Sequence, residues 1–253
     1  CISYLETVYS KHKDENVDRV CDLCGESTLI KSGDCSGEDS EVIWSLYDNG
    51  DMVISGQGAM EQPERENYDE YDVAVHFDPR IKNLIIEEGV TSIGSNAFEG
   101  FSNIESVSFP NTMTSIGWAA FRECTGISKL DIPDSVTSIS SYAFDGCTGL
   151  SDLTLSDNIT ILEGAVFVNC PLLTSVTLPS KLEEITINAE STFEACLNLE
   201  SFHISEENNN YTVVDGVLYN KDVTKIISCP PGKKAIEIPE TVKNVSVSGR
   251  DIQ

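Results

Sequence analysis

The chain has no long apolar run and few basic residues. It contains no stretch of about 18 consecutive apolar residues, the length that a membrane-spanning helix requires. Lys and Arg together number 16 against 42 Asp and Glu, which gives a formal charge of −26. Phosphate backbones and anionic lipid surfaces bind clusters of Lys and Arg, so this chain would be repelled by both. We therefore expect no nucleic-acid partner and no membrane insertion.

Residues suited to catalysis are equally scarce. The three histidines are His12, His76 and His203, and none lies in a helical metal-binding pair or beside the glycines of a nucleophile elbow. The pair Gly56 and Gly58 lacks the strand, loop and helix of a phosphate-binding motif. The sequence therefore predicts a protein that is not an enzyme and holds no cofactor. The first ten residues also lack the basic and apolar regions of a signal peptide.

The strongest positive feature is an internal repeat. Six segments start with an aliphatic residue at spacings of 23, 23, 23, 23 and 26 residues: Ile81, Ile104, Ile127, Leu150, Leu173 and Leu199. Two columns of apolar residues fall in a predicted first strand, namely Leu84, Val107, Leu130, Leu153, Val176 and Phe202, and Ile86, Phe109, Ile132, Leu155, Leu178 and Ile204. A third column falls in a second strand, Ile93, Ile116, Ile139, Leu162 and Ile185, and the fourth is aromatic, Phe98, Phe121, Phe144, Phe167 and Phe193.

These columns predict a solenoid. One turn of 23 residues cannot enclose a core, so each turn must bury its apolar face on the next. We expect an α/β-type repeat solenoid that is mostly β, with short helical or turn segments between strands. The phenylalanines of neighbouring turns should stack on one another, and removing one should cost about 3–5 kcal/mol.

The repeat also resembles a known family. The stretch SVTSISSYAFDGCTGLSDLTL at 135–155, with prolines after the first strand at Pro110, Pro133 and Pro179, resembles the BspA-like leucine-rich-repeat family over about residues 35 to 245. That resemblance implies a right-handed superhelix that opens with a β-hairpin N-cap. It also implies an extracellular or cell-surface protein that adheres to host or matrix proteins.

Both flanks of the repeat contain hairpin signals. Residues 42–60 alternate around Asn49-Gly50, and Trp44 and Leu46 share the face that would cover the first repeat. A second hairpin is predicted around Asp215-Gly216, with a third strand at 225–228. The chain ends where another Ala-Phe turn would follow, which indicates either a natural cap or a piece of a longer protein, and we favour the second. The predicted division is 1–34, a short helix and Cys-containing linker; 35–80, the capping hairpin and an acidic loop; 81–204, the repeats; 205–235, a hairpin insertion; and 236–253, a partial repeat.

Two groups of cysteines and one acidic loop raise the question of metals. Cys124, Cys147, Cys170 and Cys196 form one column and are predicted to be free, buried thiols, because stacked Cβ atoms are too far apart for a disulfide. Cys21, Cys24 and Cys35, with Cys1 or His12, could hold zinc, form disulfides or remain free. The acidic loop at 61–78 lacks calcium-loop geometry and is interpreted as a solvated loop.

The alternate positions of each first strand should point outward on the concave surface. The candidate partner-binding residues on it are Lys82, Asn83, Ser106, Lys129, Asp131, Asp152, Thr154, Ser175, Thr177 and His203. This polar face suits a protein or glycoprotein ligand, including host extracellular matrix, and we expect the chain to act as a monomer. The alternatives are a structural spacer that holds another domain away from the cell, a solvated face without a partner and, with least support, an enzyme.

Overall fold

The computed structural model describes residues 27–37, 39–60, 78–186 and 192–243, which form a β-solenoid of about five turns. The strands are β1 (Leu29–Asp34), β2 (Glu41–Tyr47), β3 (Asp51–Ala59), β4 (Asn83–Ile86), β5 (Val90–Ile93), β6 (Ser106–Ser108), β7 (Ser115–Ile116), β8 (Lys129–Asp131), β9 (Ser138–Ile139), β10 (Asp152–Thr154), β11 (Ile161–Leu162), β12 (Ser175–Thr177), β13 (Glu184–Ile185), β14 (Ser201–His203), β15 (Tyr211–Val214), β16 (Val217–Asn220) and β17 (Ile226–Ser228). Within these ranges no helix is long and apolar enough to cross a membrane.

The strands form two parallel ladders, one from the first strand of each turn and one from the second. In the first ladder β4 pairs with β6, β8 with β10, and β12 with β14. In the second, β5 pairs with β7, β7 with β9, and β11 with β13. Partners are one repeat apart, as with Leu84 and Val107 or Leu130 and Leu153. The predicted repeat register is therefore confirmed.

Two antiparallel hairpins precede the repeats. β1 pairs with β2 and β2 with β3, so residues 29–34, which we expected in a linker, form a strand. β3 then pairs in parallel with β4 through residues 51–54 and with β5 through Gly58 and Ala59. One strand can serve both ladders because Gly56 and Gly58 have φ values of 128° and 101°. A Cβ atom on Gly56 would lie 1.8 Å from the carbonyl oxygen of Glu41, so only glycine fits this bend.

Phenylalanine rings stack along the core as predicted. Phe121, Phe144 and Phe167 are fully buried, and neighbouring rings are 5.4 Å apart with planes 4° from parallel. Phe98 and Phe193 extend the stack at 5.2 and 5.7 Å. The aliphatic columns surround this stack, so each turn buries its apolar side chains on the next one.

The segment around each phenylalanine forms turns. The sequence had predicted either short helical segments or turns between the strands. Around Phe98, Phe121, Phe144 and Phe167 one residue before the ring and one after it have positive φ, such as Ala119 at 52° and Glu123 at 59°. An α-helix needs negative φ at every residue, so it cannot pass through these positions. No helix occurs in the described residues; the helix expected near the N-terminus falls in residues 1–26, outside them.

The cysteine column consists of free thiols, as predicted. Cys124, Cys147, Cys170 and Cys196 are all buried and free. Each Sγ donates a hydrogen bond to the carbonyl oxygen of the phenylalanine one turn earlier, for example from Cys124 to Phe98 at 3.0 Å. Burial raises the pKa of Cys147 to about 12. These cysteines therefore serve as small packing residues.

One turn of the solenoid is longer than the others. Ser175 pairs with Ser201, 26 residues later, yet Phe193 still stacks on Phe167 at 5.7 Å. The three additional residues therefore leave the stacking of the phenylalanines unchanged.

The predicted hairpin at the C-terminal side is present and has three strands. β15 pairs with β16 around Asp215 and Gly216, whose φ values are 46° and 74°, and β16 pairs with β17. The backbone N–H of Phe202 donates to the carbonyl oxygen of Gly216 at 2.9 Å. This hydrogen bond joins the hairpin to β14, the first strand of the last turn.

Candidate partner-binding face

The outward side chains of β4, β6, β8, β10, β12 and β14 form one surface, which we call the first-strand face. All ten candidate residues lie on it. Lys82 and Asn83 are half-buried at its N-terminal end, and the other eight are exposed: Ser106, Lys129, Asp131, Asp152, Thr154, Ser175, Thr177 and His203. The strand ladder therefore brings the candidates together in rows about 4.8 Å apart. Their selection for binding a partner remains a prediction.

The centre of the face carries a cluster of three charges. Lys129 Nζ lies 3.0 Å from Asp131 Oδ2 and 3.8 Å from Asp152 Oδ2. The hydrogen bond to Asp131, followed by the charges of Asp131 and Asp152, raises the pKa of Lys129. All three side chains are more than half exposed, so the cluster contributes little to stability. Its charges are accessible to a ligand.

The N-terminal end of the face is a fixed hydrogen-bond chain. Ser106 Oγ donates to Asn83 Oδ1 at 2.8 Å, and Asn83 Nδ2 donates to Asp51 Oδ1 at 2.8 Å. Lys82 Nζ lies 2.6 Å from Glu105 Oε1 in the adjacent row. Asp51 was not among the sequence candidates because it lies in β3, outside the repeats. Its register opposite Asn83 makes β3 an additional row of the face.

The C-terminal end of the face has His203 beside the three-stranded hairpin. His203 Nε2 is 3.3 Å from Ser201 Oγ, and the ring is exposed, as expected for an outward position of a first strand. Beyond β14 the hairpin adds an ion pair between Lys233 and Asp215 at 3.2 Å. The sequence did not point to this pair, because the hairpin breaks the repeat.

A shallow cleft of about 560 Å³ lies at another edge, beside the turns that follow the second strands. Arg122 occupies it and bridges three turns, with Glu99 Oε1 at 3.3 Å and Asp145 Oδ2 at 3.1 Å. The cleft thus contains ion pairs that link neighbouring repeats.

The zinc candidates are only partly described. Cys21 and Cys24 lie outside the described residues, while Cys35 is buried with a free thiol. Burial, with a smaller contribution from the charge of Asp34, raises the pKa of Cys35 to about 12, so the thiolate that zinc requires is disfavoured. In the described part of the chain no group of three or more His, Cys, Asp or Glu side chains could hold a metal. The zinc site stays a prediction.

Comparisons with known proteins agree with this architecture. Residues 75–200 match the model of the BspA type leucine rich repeat region in six copies. A leucine-rich repeat protein from Eubacterium ventriosum ATCC 27560 is similar in structure, with a TM-score of 0.68 and 27% identity over 85% of this chain and 55% of its own. The pneumococcal vaccine antigen PcpA has a TM-score of 0.58 and 18% identity over 85% of this chain and 60% of its own, a likeness of fold alone. This chain spans less than two thirds of either. No curated protein matches it.

Proposed function

Because the chain belongs, through residues 75–200, to the BspA-type leucine-rich-repeat family, we propose that it is a non-catalytic interaction module of an extracellular or cell-surface protein. The first-strand face binds a protein or glycoprotein, with host extracellular matrix as the first class to test. The repeat fold is typical of protein-interaction and surface proteins.

The observation that carries this proposal is the charge cluster of Lys129, Asp131 and Asp152. These side chains are solvent-exposed, yet their backbones are fixed in one parallel ladder. A partner therefore meets a preorganised pattern of charge, which favours specific association. Serine and threonine hydroxyls around the cluster add donors and acceptors that suit polar protein surfaces and sugars.

The experiment measures binding to immobilised fibronectin, laminin and collagen by biolayer interferometry. We expect the wild-type chain to bind at least one of them and the double variant Lys129→Glu, Asp152→Lys to bind at least tenfold more weakly, about 1.4 kcal/mol. The control is Lys181→Glu, which also reverses an exposed charge but lies off the face. Unchanged binding by the double variant, or no binding to any of the three proteins, would contradict the proposal.

A structural spacer is the second candidate function. It is favoured by the composition of the first-strand face, whose described outward positions contain no Phe, Tyr or Trp to anchor a tight interface. A spacer predicts that charge reversal on the face changes no interaction of the chain.

A further inference from the structure

An exposed aromatic side chain lies away from the first-strand face, in the turn that follows β7. Trp118 is 40% exposed, although tryptophan is usually largely buried. The equivalent positions of the neighbouring turns are Ser95, Ser141 and Gly164. No bulky side chain of its own column therefore covers the indole ring, and part of the ring is available for contact.

A second aromatic ring lies beside this indole, and a carboxylate is held at the neighbouring turn. The ring of Tyr142 lies 6.0 Å from that of Trp118, with planes 67° apart. Glu163 Oε2 accepts hydrogen bonds from the backbone N–H of Ser141 at 2.6 Å and from its hydroxyl at 2.8 Å. The carbonyl oxygen of Ser141 accepts from Ala119, the residue after Trp118. These contacts hold the carboxylate beside the backbone that carries both rings.

The charge of the repeats favours a cationic ligand. Residues 81–204 contain 16 acidic and 4 basic residues. All four basic side chains are already engaged: Lys82 with Glu105, Arg122 with Glu99 and Asp145, Lys129 with Asp131 and Asp152, and Lys181 with Asn158. The potential around the repeats is therefore negative, and a positively charged partner is attracted to it.

We propose that Trp118, Tyr142 and Glu163 form a second contact site, which binds an arginine side chain from a basic segment of a protein partner. The planar guanidinium stacks on the exposed part of the indole, and one of its N–H groups donates to Glu163 Oε1, because Oε2 already accepts from Ser141. Arginine fits better than lysine because its flat guanidinium stacks on an aromatic ring and can donate a hydrogen bond from its edge at the same time. Tyr142 closes one side of the site.

The test uses a hexa-arginine peptide and ¹⁵N-labelled protein at an ionic strength of about 0.15 M, where distant charges are screened. The chain has two tryptophans, Trp44 and Trp118, and Trp118→Phe identifies the indole N–H signal of each. We expect the peptide to shift the Trp118 signal and leave the Trp44 signal in place. A hexa-glutamate peptide should shift neither.

Two variants with matched controls measure the contribution of each group. We expect Glu163→Gln and Trp118→Ala each to weaken hexa-arginine binding about three- to tenfold in calorimetry. Glu240→Gln, which removes an exposed charge elsewhere, and Leu197→Ala, which removes an exposed apolar side chain at another edge, should change it less than twofold. Thermal unfolding checks that each variant is folded, and Glu163→Gln retains an oxygen for the Ser141 hydrogen bonds.

Three outcomes would overturn the proposal: a Trp118 signal that the peptide does not shift, equal losses for Glu240→Gln and Glu163→Gln, or wild-type affinity in Trp118→Ala. The site is separate from the first-strand face, so Thr154→Ala, a neutral substitution on that face, should leave hexa-arginine binding unchanged. The two proposals can therefore fail separately.

Discussion

Asn208 is the buried polar side chain that joins the three-stranded hairpin to the repeats. It is 2% exposed, and its amide makes four hydrogen bonds. Nδ2 donates to the carbonyl oxygens of Ser180 at 3.0 Å and Leu182 at 2.9 Å, while Oδ1 accepts from the backbone N–H groups of Asn210 at 2.9 Å and Tyr211 at 2.8 Å. One side chain thus satisfies backbone groups from both parts of the chain.

Replacing Asn208 by alanine removes all four bonds. Two carbonyl oxygens and two N–H groups lose this partner, and each such loss costs about 1–3 kcal/mol when water cannot take the place of the amide. Water can reach part of this site, because Asn210 is exposed and Tyr211 is half-buried. We therefore expect Asn208→Ala to lower the free energy of unfolding by about 3–5 kcal/mol. The loss should be greatest for β15, β16 and β17.

Urea denaturation followed by circular dichroism measures the total effect, and amide hydrogen exchange locates it. In Asn208→Ala the amides of the hairpin should exchange faster, while those of the Phe121 to Phe167 turns should change little. The matched control is Asn209→Ala, an adjacent exposed asparagine, which should cost less than about 0.5 kcal/mol. Equal effects of the two substitutions would refute the account, as would uniform acceleration of exchange along the chain.

Three further predictions concern the repeats. Phe144→Ala should lower the free energy of unfolding by about 3–5 kcal/mol in urea denaturation, because its buried ring stacks on both neighbouring rings; a cost below that of an exposed-residue substitution would contradict the role of the stack. Arg122→Met should cost about 1 kcal/mol at low salt and less at high salt, since Glu99 and Asp145 lose their shared cation; a salt-independent cost would argue against an electrostatic role. Burial raises the pKa of Cys147 to about 12, whereas an unfolded thiol titrates near about 8.5. The contribution of the buried, protonated Cys147 thiol to the free energy of unfolding is therefore complete below about pH 8.5 and is lost as the pH rises towards 12. Between about pH 8 and pH 10.5 the melting temperature of Cys147→Ala should fall less than that of the wild-type chain.

Much of this architecture could be predicted because the same apolar positions pack in the same way in every repeat. The columns headed by Leu84 and Phe98 indicated which side chains stack, and the spacing alone predicted that Lys129 and Asp152 lie side by side. Asn49-Gly50 and Asp215-Gly216 marked both hairpins, because few residues other than glycine, asparagine and aspartate adopt the positive φ of such turns.

Features that depend on a strand pairing or a contact that occurs only once could not be predicted from the sequence. The strand at 29–34 forms because β2 offers it an edge, and its sequence, LIKSGD, has no clear alternation. Asp51 joins the first-strand face only through the parallel register of β3 with β4. Trp118 and Glu163 come from turns two repeats apart, and their neighbourhood depends on hydrogen bonds to Ser141.

The long turn between Ser175 and Ser201 has a consequence for how such chains diversify. Its three additional residues fall between Ile185 and Phe193, and the strand pairing and the ring stacking continue as in the shorter turns. Lengthening a loop costs little free energy when its ends are already held together, since the entropic cost grows only with the logarithm of loop length. Insertions between Ile185 and Phe193 can therefore add new surface one residue at a time. Selection for a new ligand at this place need not disturb the folding of the solenoid.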